Sequence, residues 1–272
     1  MLTMVTVQNP SGTLFLPLTD ASQGYVVKEV QGLDPVKASM SSSVMAQMDG
    51  ALFQNARREP RNITMKIGLE CDYVTNTVAG LRKNLYDYLM TKGFVTFSLW
   101  VDLAIFAKTI AIVESVENNM FTTDPEVDIS LICFDPDLYA PSETVLDGTT
   151  TSVSDTVTID YPGTSETGVH FEMVLPADTS EVRLYNTRPD QVVNLVRVTG
   201  NMLANDLLTI DTNPGSKKIT LTRNGLEFSI LYFLDQTSDW VSLMRGPNLF
   251  RAFYGGAPSP YTLTYTVKYG GY

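Results

Sequence analysis

Thirty Asp and Glu side chains in 272 residues make paired carboxylates the first chemistry to weigh, because glycoside hydrolysis needs only two of them. Asp206 with Asp211, Glu227 with Asp235, and Asp235 with Asp239 are spaced closely enough to consider. All fall at strand ends or in turns, where Asp is favoured for hydrogen bonds to its own backbone, so a structural role is the plainer reading. Asp124, Glu126 and Asp128 invite a calcium ion, yet lack the glycine and ligand spacing of a calcium loop. The single histidine, His170, has no second His or Cys near it in sequence, and Cys71 and Cys133 read as small buried apolar residues rather than a disulfide. No Walker loop, GxGxxG, HExxH, GxSxG or CxxC occurs. No catalytic residue, metal ligand or cofactor is assigned, and an enzyme is not expected.

Aromatic residues on strands raise sugar stacking as a second chemistry. Tyr185, Tyr232, Trp240 and Tyr254 are available, and Tyr185 and Trp240 are the candidate glycan contacts. Core packing is the plainer role for such residues. Nineteen Lys and Arg against thirty acids give a net charge of −11, which argues against a protein that grips nucleic-acid phosphates. The excess is spread, with 10 basic and 17 acidic residues in 1–144 (−7) and 9 and 13 in 145–272 (−4). The start, MLTMVTVQNP, has neither the basic nor the apolar region of a signal peptide, and the longest apolar stretch, Phe94 to Ala107, is too short to cross a bilayer. A protein folded in a reducing cytoplasm, with no membrane insertion, is expected.

The elements that must carry these residues are mostly strands. Ile63, Met65, Ile67 and Leu69 alternate with Thr64, Lys66, Gly68 and Glu70; Tyr261, Leu263, Tyr265, Val267 and Tyr269 alternate with Thr262, Thr264, Thr266 and Lys268. Further strands are expected at 25–30, 94–99, 109–115, 127–134, 170–175, 192–198, 207–211 and 219–222. One segment has helical spacing instead. Val78, Leu81, Leu85, Tyr88 and Leu89 share a face, predicting a helix over about 77–90, capped by Thr75 or Asn76 and ended at Gly93.

Residues 140–156 change abruptly to Pro, Asp, Ser, Thr and Gly with no periodicity, so a boundary is expected there. The fold class is mainly β: an N-terminal α+β domain with one helix over 1–144, then a β-sandwich over 145–272 with hairpin turns at Asn213-Pro214-Gly215 and Asn224-Gly225. Residues 38–61 fit neither period. They read as an unresolved hairpin or short helix, or as an arm that orders against a neighbouring subunit through Met45, Met48, Phe53, Arg57, Arg58 and Arg61.

Several phrases, in order, carry a family resemblance. Gly24-Tyr25-Val26-Val27-Lys28-Glu29-Val30-Gln31-Gly32-Leu33-Asp34 is followed by Met48-Asp49-Gly50, Arg57-Arg58-Glu59-Pro60-Arg61-Asn62-Ile63-Thr64, the helix, and Phe134-Asp135-Pro136-Asp137-Leu138-Tyr139. Then come Asn205-Asp206-Leu207-Leu208-Thr209-Ile210-Asp211-Thr212, Pro214-Gly215, Lys217-Lys218-Ile219-Thr220-Leu221, Asn224-Gly225, Trp240-Val241-Ser242-Leu243 and Gly246-Pro247-Asn248. Over nearly the whole chain this resembles the distal tail proteins of long-tailed, non-contractile bacteriophages. The departure is Arg245 before Gly246, where that family more often has proline.

The resemblance implies a tail-tube-like N-terminal domain that makes a homo-hexameric ring, and a galectin-like C-terminal sandwich that projects outward. It implies a virion protein, assembled in the host cytoplasm, at the distal end of the tail. Its implied partners are copies of itself, the tail tube protein, the tail-tip hub or tail-associated protein, the tape measure protein and receptor-binding proteins. Genomic DNA would cross the lumen without specific binding. The alternatives are a carbohydrate-binding module that contacts the host surface, a polysaccharide-degrading enzyme using Glu227 or Asp235, and a plain tube or baseplate subunit. The large second sandwich argues against the last.

Overall fold

The computed structural model describes residues 1–18, 20–21, 23–44, 49–119, 122–151 and 155–272. The chain divides into two units, Met1–Pro141 joined by Gly270–Tyr272, and Ser142–Tyr269.

In the first unit the strands are β1 (Leu2–Asn9), β2 (Gly12–Pro17), β3 (Tyr25–Gln31), β4 (Ala38–Ser43), β5 (Leu52–Arg58), β6 (Arg61–Leu69), β7 (Phe94–Val101), β8 (Ala104–Asn118) and β9 (Glu126–Cys133), with one helix, α1 (Val78–Tyr88), between β6 and β7. Seven strands form one antiparallel sheet in the order β2-β1-β7-β8-β9-β6-β3. Its two ends curl together until β2 and β3 touch. Alternation makes this closure favourable. Val5, Val7, Leu14, Leu16, Val27, Ile63, Met65, Ile67, Val95, Phe97, Leu99, Val113, Ile129 and Leu131 all point to the one buried side.

The helix closes the seam with its Leu81 and Leu85 face, and Leu89, just past its end, is buried with them. The Tyr25 hydroxyl of β3 donates to the Leu81 carbonyl at 2.8 Å, and Asn9, at the β1–β2 turn, donates to the Asp87 carbonyl at 2.9 Å. The expected helix is therefore present, but its cap is Thr77, whose hydroxyl accepts the Gly80 N–H at 3.2 Å. Asp72 holds the N–H groups of Thr75 and Asn76 instead. Lys92, at φ 67°, takes the left-handed position expected of Gly93.

The expected boundary segment carries a strand, β10 (Leu138–Thr149), in which Leu138 is the one buried side chain, so no apolar alternation marked it in the sequence.

The second unit is a sandwich of β11 (Val157–Tyr161), β12 (His170–Val174), β13 (Thr179–Thr187), β14 (Val193–Met202), β15 (Leu207–Asp211), β16 (Lys218–Arg223), β17 (Leu226–Ser229), β18 (Gly246–Tyr254) and β19 (Pro260–Tyr269). One sheet runs β17-β16-β15-β12-β19, the other β11-β18-β13-β14. Phe171, Met173, Leu208, Ile210, Leu263, Val182, Leu184, Val196, Phe250 and Tyr254 fill its core. Asn224 and Gly225 both have positive φ (52° and 78°), the backbone a two-residue hairpin of this hand requires.

Buried polar side chains tie down what the strands leave irregular. Asn186 donates to the Ser242 carbonyl at 2.8 Å and Asn248 to that of Met244 at 2.7 Å, while Asn194 accepts the Ser242 N–H at 3.4 Å. These three hold the strandless segment before β18 against the sandwich.

Asp206, 1% exposed, accepts from Arg223 at 2.7 and 2.6 Å and from the Leu203 N–H at 2.9 Å. Arg223 holds the carboxyl below the usual range. A depressed folded pKa stabilises above the unfolded value, about 3.9, and that contribution is lost as pH falls through the folded one. Asp206→Asn leaves Arg223 without its partner and should cost about 3 kcal/mol at neutral pH. Denaturation curves of the variant and wild type should converge as pH falls below about 4. A gap that stays constant into that acid range would contradict the assignment.

Candidate functional site

The expected arm is a two-stranded ribbon. Among the described residues β4 and β5 pair only with each other, and every residue of β5 is exposed. An isolated hairpin is marginal in water, so this one depends on its base. There Arg58 makes a two-pronged ion pair with Asp137, at 2.6 and 3.0 Å, and Ser39 donates to Glu59 at 2.7 Å. Beyond the base the ribbon offers apolar groups to solvent: Met40 (75% exposed), Leu52 and Phe53 (62%). A bulge at Gln54 puts Arg57 on the face of β5 that carries Leu52, and Arg57 has no ion-pair partner among the described residues. Met45 and Met48 lie outside the described residues.

Arg61 does not belong to the arm's surface. It is 1% exposed, and its guanidinium donates to the carbonyls of Pro136 (2.9 Å), Gly32 (2.7 Å), Asp34 (2.8 Å) and Gly270 (2.6 Å). Burial pulls its pKa below the usual guanidinium value, only partly opposed by the nearby Asp137 and Asp34. Its task is to fasten two loops and the returning C-terminal residues. Only tertiary structure separates this arginine from Arg57 and Arg58.

A second surface in the same unit has no counterpart in the sequence reading. On the outer face of β7, β8 and β9, Phe94 stands opposite Ile112 and Ile112 opposite Ile132. Ile110 continues the row on β8 and Phe134 follows the end of β9. Phe94, Ile110 and Phe134 are 67%, 66% and 70% exposed, so this is an apolar stripe facing water. Patches of this kind on a folded chain mark contact surfaces. Glu114 sits at the β8 bulge beside it, and Asp135 follows Phe134. The signal was available: Phe94, Ile110, Ile112 and Ile132 occupy the polar phase of their strands.

The glycan candidates are not brought together. Tyr185 lies on the outer face of β13 beneath the Arg251 guanidinium, 4.2 Å from the ring centre. Trp240 lines an open groove of about 480 Å³ in the second unit, and Tyr185 is not part of its wall.

The paired carboxylates are spent elsewhere. Asp206 is buried against Arg223, Asp235 accepts from Thr237 and faces Arg197 at 3.7 Å, and Glu227 faces Lys218 at 3.7 Å. Glu126 pairs with Lys28 at 2.7 Å, which lowers its pKa, and Asp128 lies 3.7 Å from Lys66. His170 lies 3.2 Å from Glu172 on the surface of β12. Among the described residues no group of three or more His, Cys, Asp or Glu is arranged to hold a metal ion, and no helix is long and apolar enough to cross a membrane.

Residues 162–269 match the family model described as siphovirus-type tail component, C-terminal domain. No curated protein sequence matches the chain. Its fold is similar to the crystal structure of SPP1 Dit (gp 19.1), described as a paradigm of the hub adsorption apparatus in phages infecting Gram-positive hosts. The TM-score is 0.69, with 17% identity over 97% of this chain and 98% of that one. Two structures of the phage P2 baseplate in its activated conformation, with Ca and with Sr, align over 99% and 98% of this chain and 98% of theirs. Both are 8% identical, with TM-scores of 0.47 and 0.46, too low to carry an argument.

The family match is thus confined to the second unit, whose residues 162–269 are similar to the C-terminal domain of siphovirus-type tail components. Over its whole length the chain has the mainly β fold of a Dit hub protein.

Proposed function

We propose that copies of this chain close head-to-tail into a six-membered ring at the distal end of a siphovirus tail. The ring joins the tail tube protein to the tail-tip hub protein, admits the tape measure protein and then the genome through its lumen, and carries receptor-binding proteins on its outward sandwiches. One observation carries this reading: the first unit bears two different unpartnered surfaces, a projecting hairpin and an apolar stripe. A closed ring requires that kind of interface, one patch meeting a different patch on the neighbour. Phe53 and Leu52 match the stripe in character, and Arg57 matches Glu114 and Asp135 in charge. The receiving surface on this reading is a sheet face rather than a sheet edge. The excess of acids in 1–144 suits the wall of a DNA conduit, since like charges repel phosphate.

The test is assembly. Light scattering on the purified chain, alone and with its tail neighbours, should give a mass of six copies, with ring-shaped particles in micrographs. Replacing residues 40–56 by a short Gly-Ser turn spares Arg58 and should leave a folded protein that forms no rings. Rings of normal size from that deletion would reject the arm. A chain that stays monomeric with its neighbours present would reject the ring itself.

A further inference from the structure

We propose that the groove beside Trp240 is a binding site for a neutral saccharide. Four separate segments of the second unit meet there, bringing Glu166, Thr167, Asn194, Lys217, Asp239 and Trp240 to one wall. The volume, about 480 Å³, is enough for one or two sugar rings.

What the wall offers decides the ligand. Trp240 gives an aromatic platform, and the Lys217 ammonium, 5.5 Å from its ring centre, has no carboxylate partner among the described residues. Asn194 has its Oδ1 occupied by the Ser242 N–H, so its NH2 is the donor left to give. Glu166 is held by two hydrogen bonds from Arg188, 3.2 and 3.3 Å long, and Asp190 anchors the same guanidinium at 2.7 Å. Arg188 spends its N–H groups there and on Ser242, which makes it a positioning residue for Glu166. Asp239 supplies a second carboxylate, its backbone fixed to the Leu195 carbonyl at 2.8 Å.

The sum is an aromatic face with both donors and acceptors beside it and two lining carboxylates set against the lining cations Lys217 and Arg188. A polyol matches this pattern, since each hydroxyl both donates and accepts. A phosphate would meet two carboxylates, and a peptide would find no deep apolar pocket. A second observation points the same way. Thr167 is 1% exposed, and its hydroxyl has no hydrogen-bond partner. Buried hydroxyls are almost always satisfied, and a polyol or the water it holds in the groove completes this one.

The full chain labelled with 5-fluorotryptophan has two fluorine resonances, from Trp100 and Trp240, the first an internal reference. A panel of neutral oligosaccharides (maltotriose, cellotriose, N-acetylglucosamine trimer, lactose) is titrated beside inorganic phosphate and glucuronate. At least one neutral sugar should shift the Trp240 signal saturably, with a Kd on the order of 1 mM.

Thr167→Val separates a ligand group from a structural one. Removing an unsatisfied buried hydroxyl should leave Tm unchanged or raise it, while saccharide affinity falls about tenfold. Glu166→Gln should lower affinity by a similar factor without unfolding the sandwich. The proposal is overturned if no neutral sugar moves the Trp240 resonance, if phosphate moves it as strongly, or if both variants bind as the wild type does.

Discussion

Arg61→Met loses about 3–5 kcal/mol of stability in the first unit, while the second unit melts as before. Methionine fills much of the volume but donates nothing, so the carbonyls of Gly32, Asp34, Pro136 and Gly270 lose their buried donor together. Lysine does not rescue the site, because one ammonium cannot reproduce a planar fork aimed at four oxygens. Gly32 shows how tight the place is. Its φ is 83°, and a Cβ there would lie 1.9 Å from the Asn62 carbonyl oxygen, so Gly32→Ala should fail in the same way. Scanning calorimetry separates the outcomes: the first unit's transition falls by on the order of 10 °C, and the second's stays in place. A variant that melts as wild type would show that water replaces the guanidinium at no cost.

Ile110→Asp abolishes ring formation and leaves the fold intact. Ile110 is two-thirds exposed in the isolated chain, so a carboxylate there is solvated and harmless to the monomer. Under a neighbour's hairpin it would be desolvated among Phe94, Ile112 and Phe134. That costs about 3 kcal/mol at each contact, two orders of magnitude in association, and a closed ring repeats it at every contact. Val174→Asp, at a similarly exposed apolar residue of the second unit, should assemble normally. Light scattering and micrographs of both variants decide it. Rings from Ile110→Asp would remove the stripe from the interface.

These expectations differ in how far the sequence foretold them. Strand and helix were legible wherever one face is buried, because burial forces the period of two or of 3.6. Ile63 to Leu69 and Val78 to Leu89 are the clearest cases. β10 was not legible, since a strand with few buried side chains writes no pattern. The stripe did leave a signal, in that Phe94, Ile112 and Ile132 interrupt the polar phase of their strands, but beside an apolar inner phase they read as more core.

The arginines of 57–61 show where sequence stops. Arg57, Arg58 and Arg61 are chemically identical, and spacing offers no basis to rank them. One is free on a ribbon, one is paired with Asp137, and one is sealed beneath four carbonyls contributed by residues as distant as Gly270.

The sequence by itself determined the mainly β class, the lone helix, the hairpin turns and the acidic balance. Each follows from local backbone preference or from counting. Tertiary structure alone decided which polar groups are spent, which apolar ones remain exposed, and that Trp240 and Thr167 share a groove while Tyr185 lies elsewhere. Those outcomes depend on contacts between residues far apart along the chain, and no local periodicity records them.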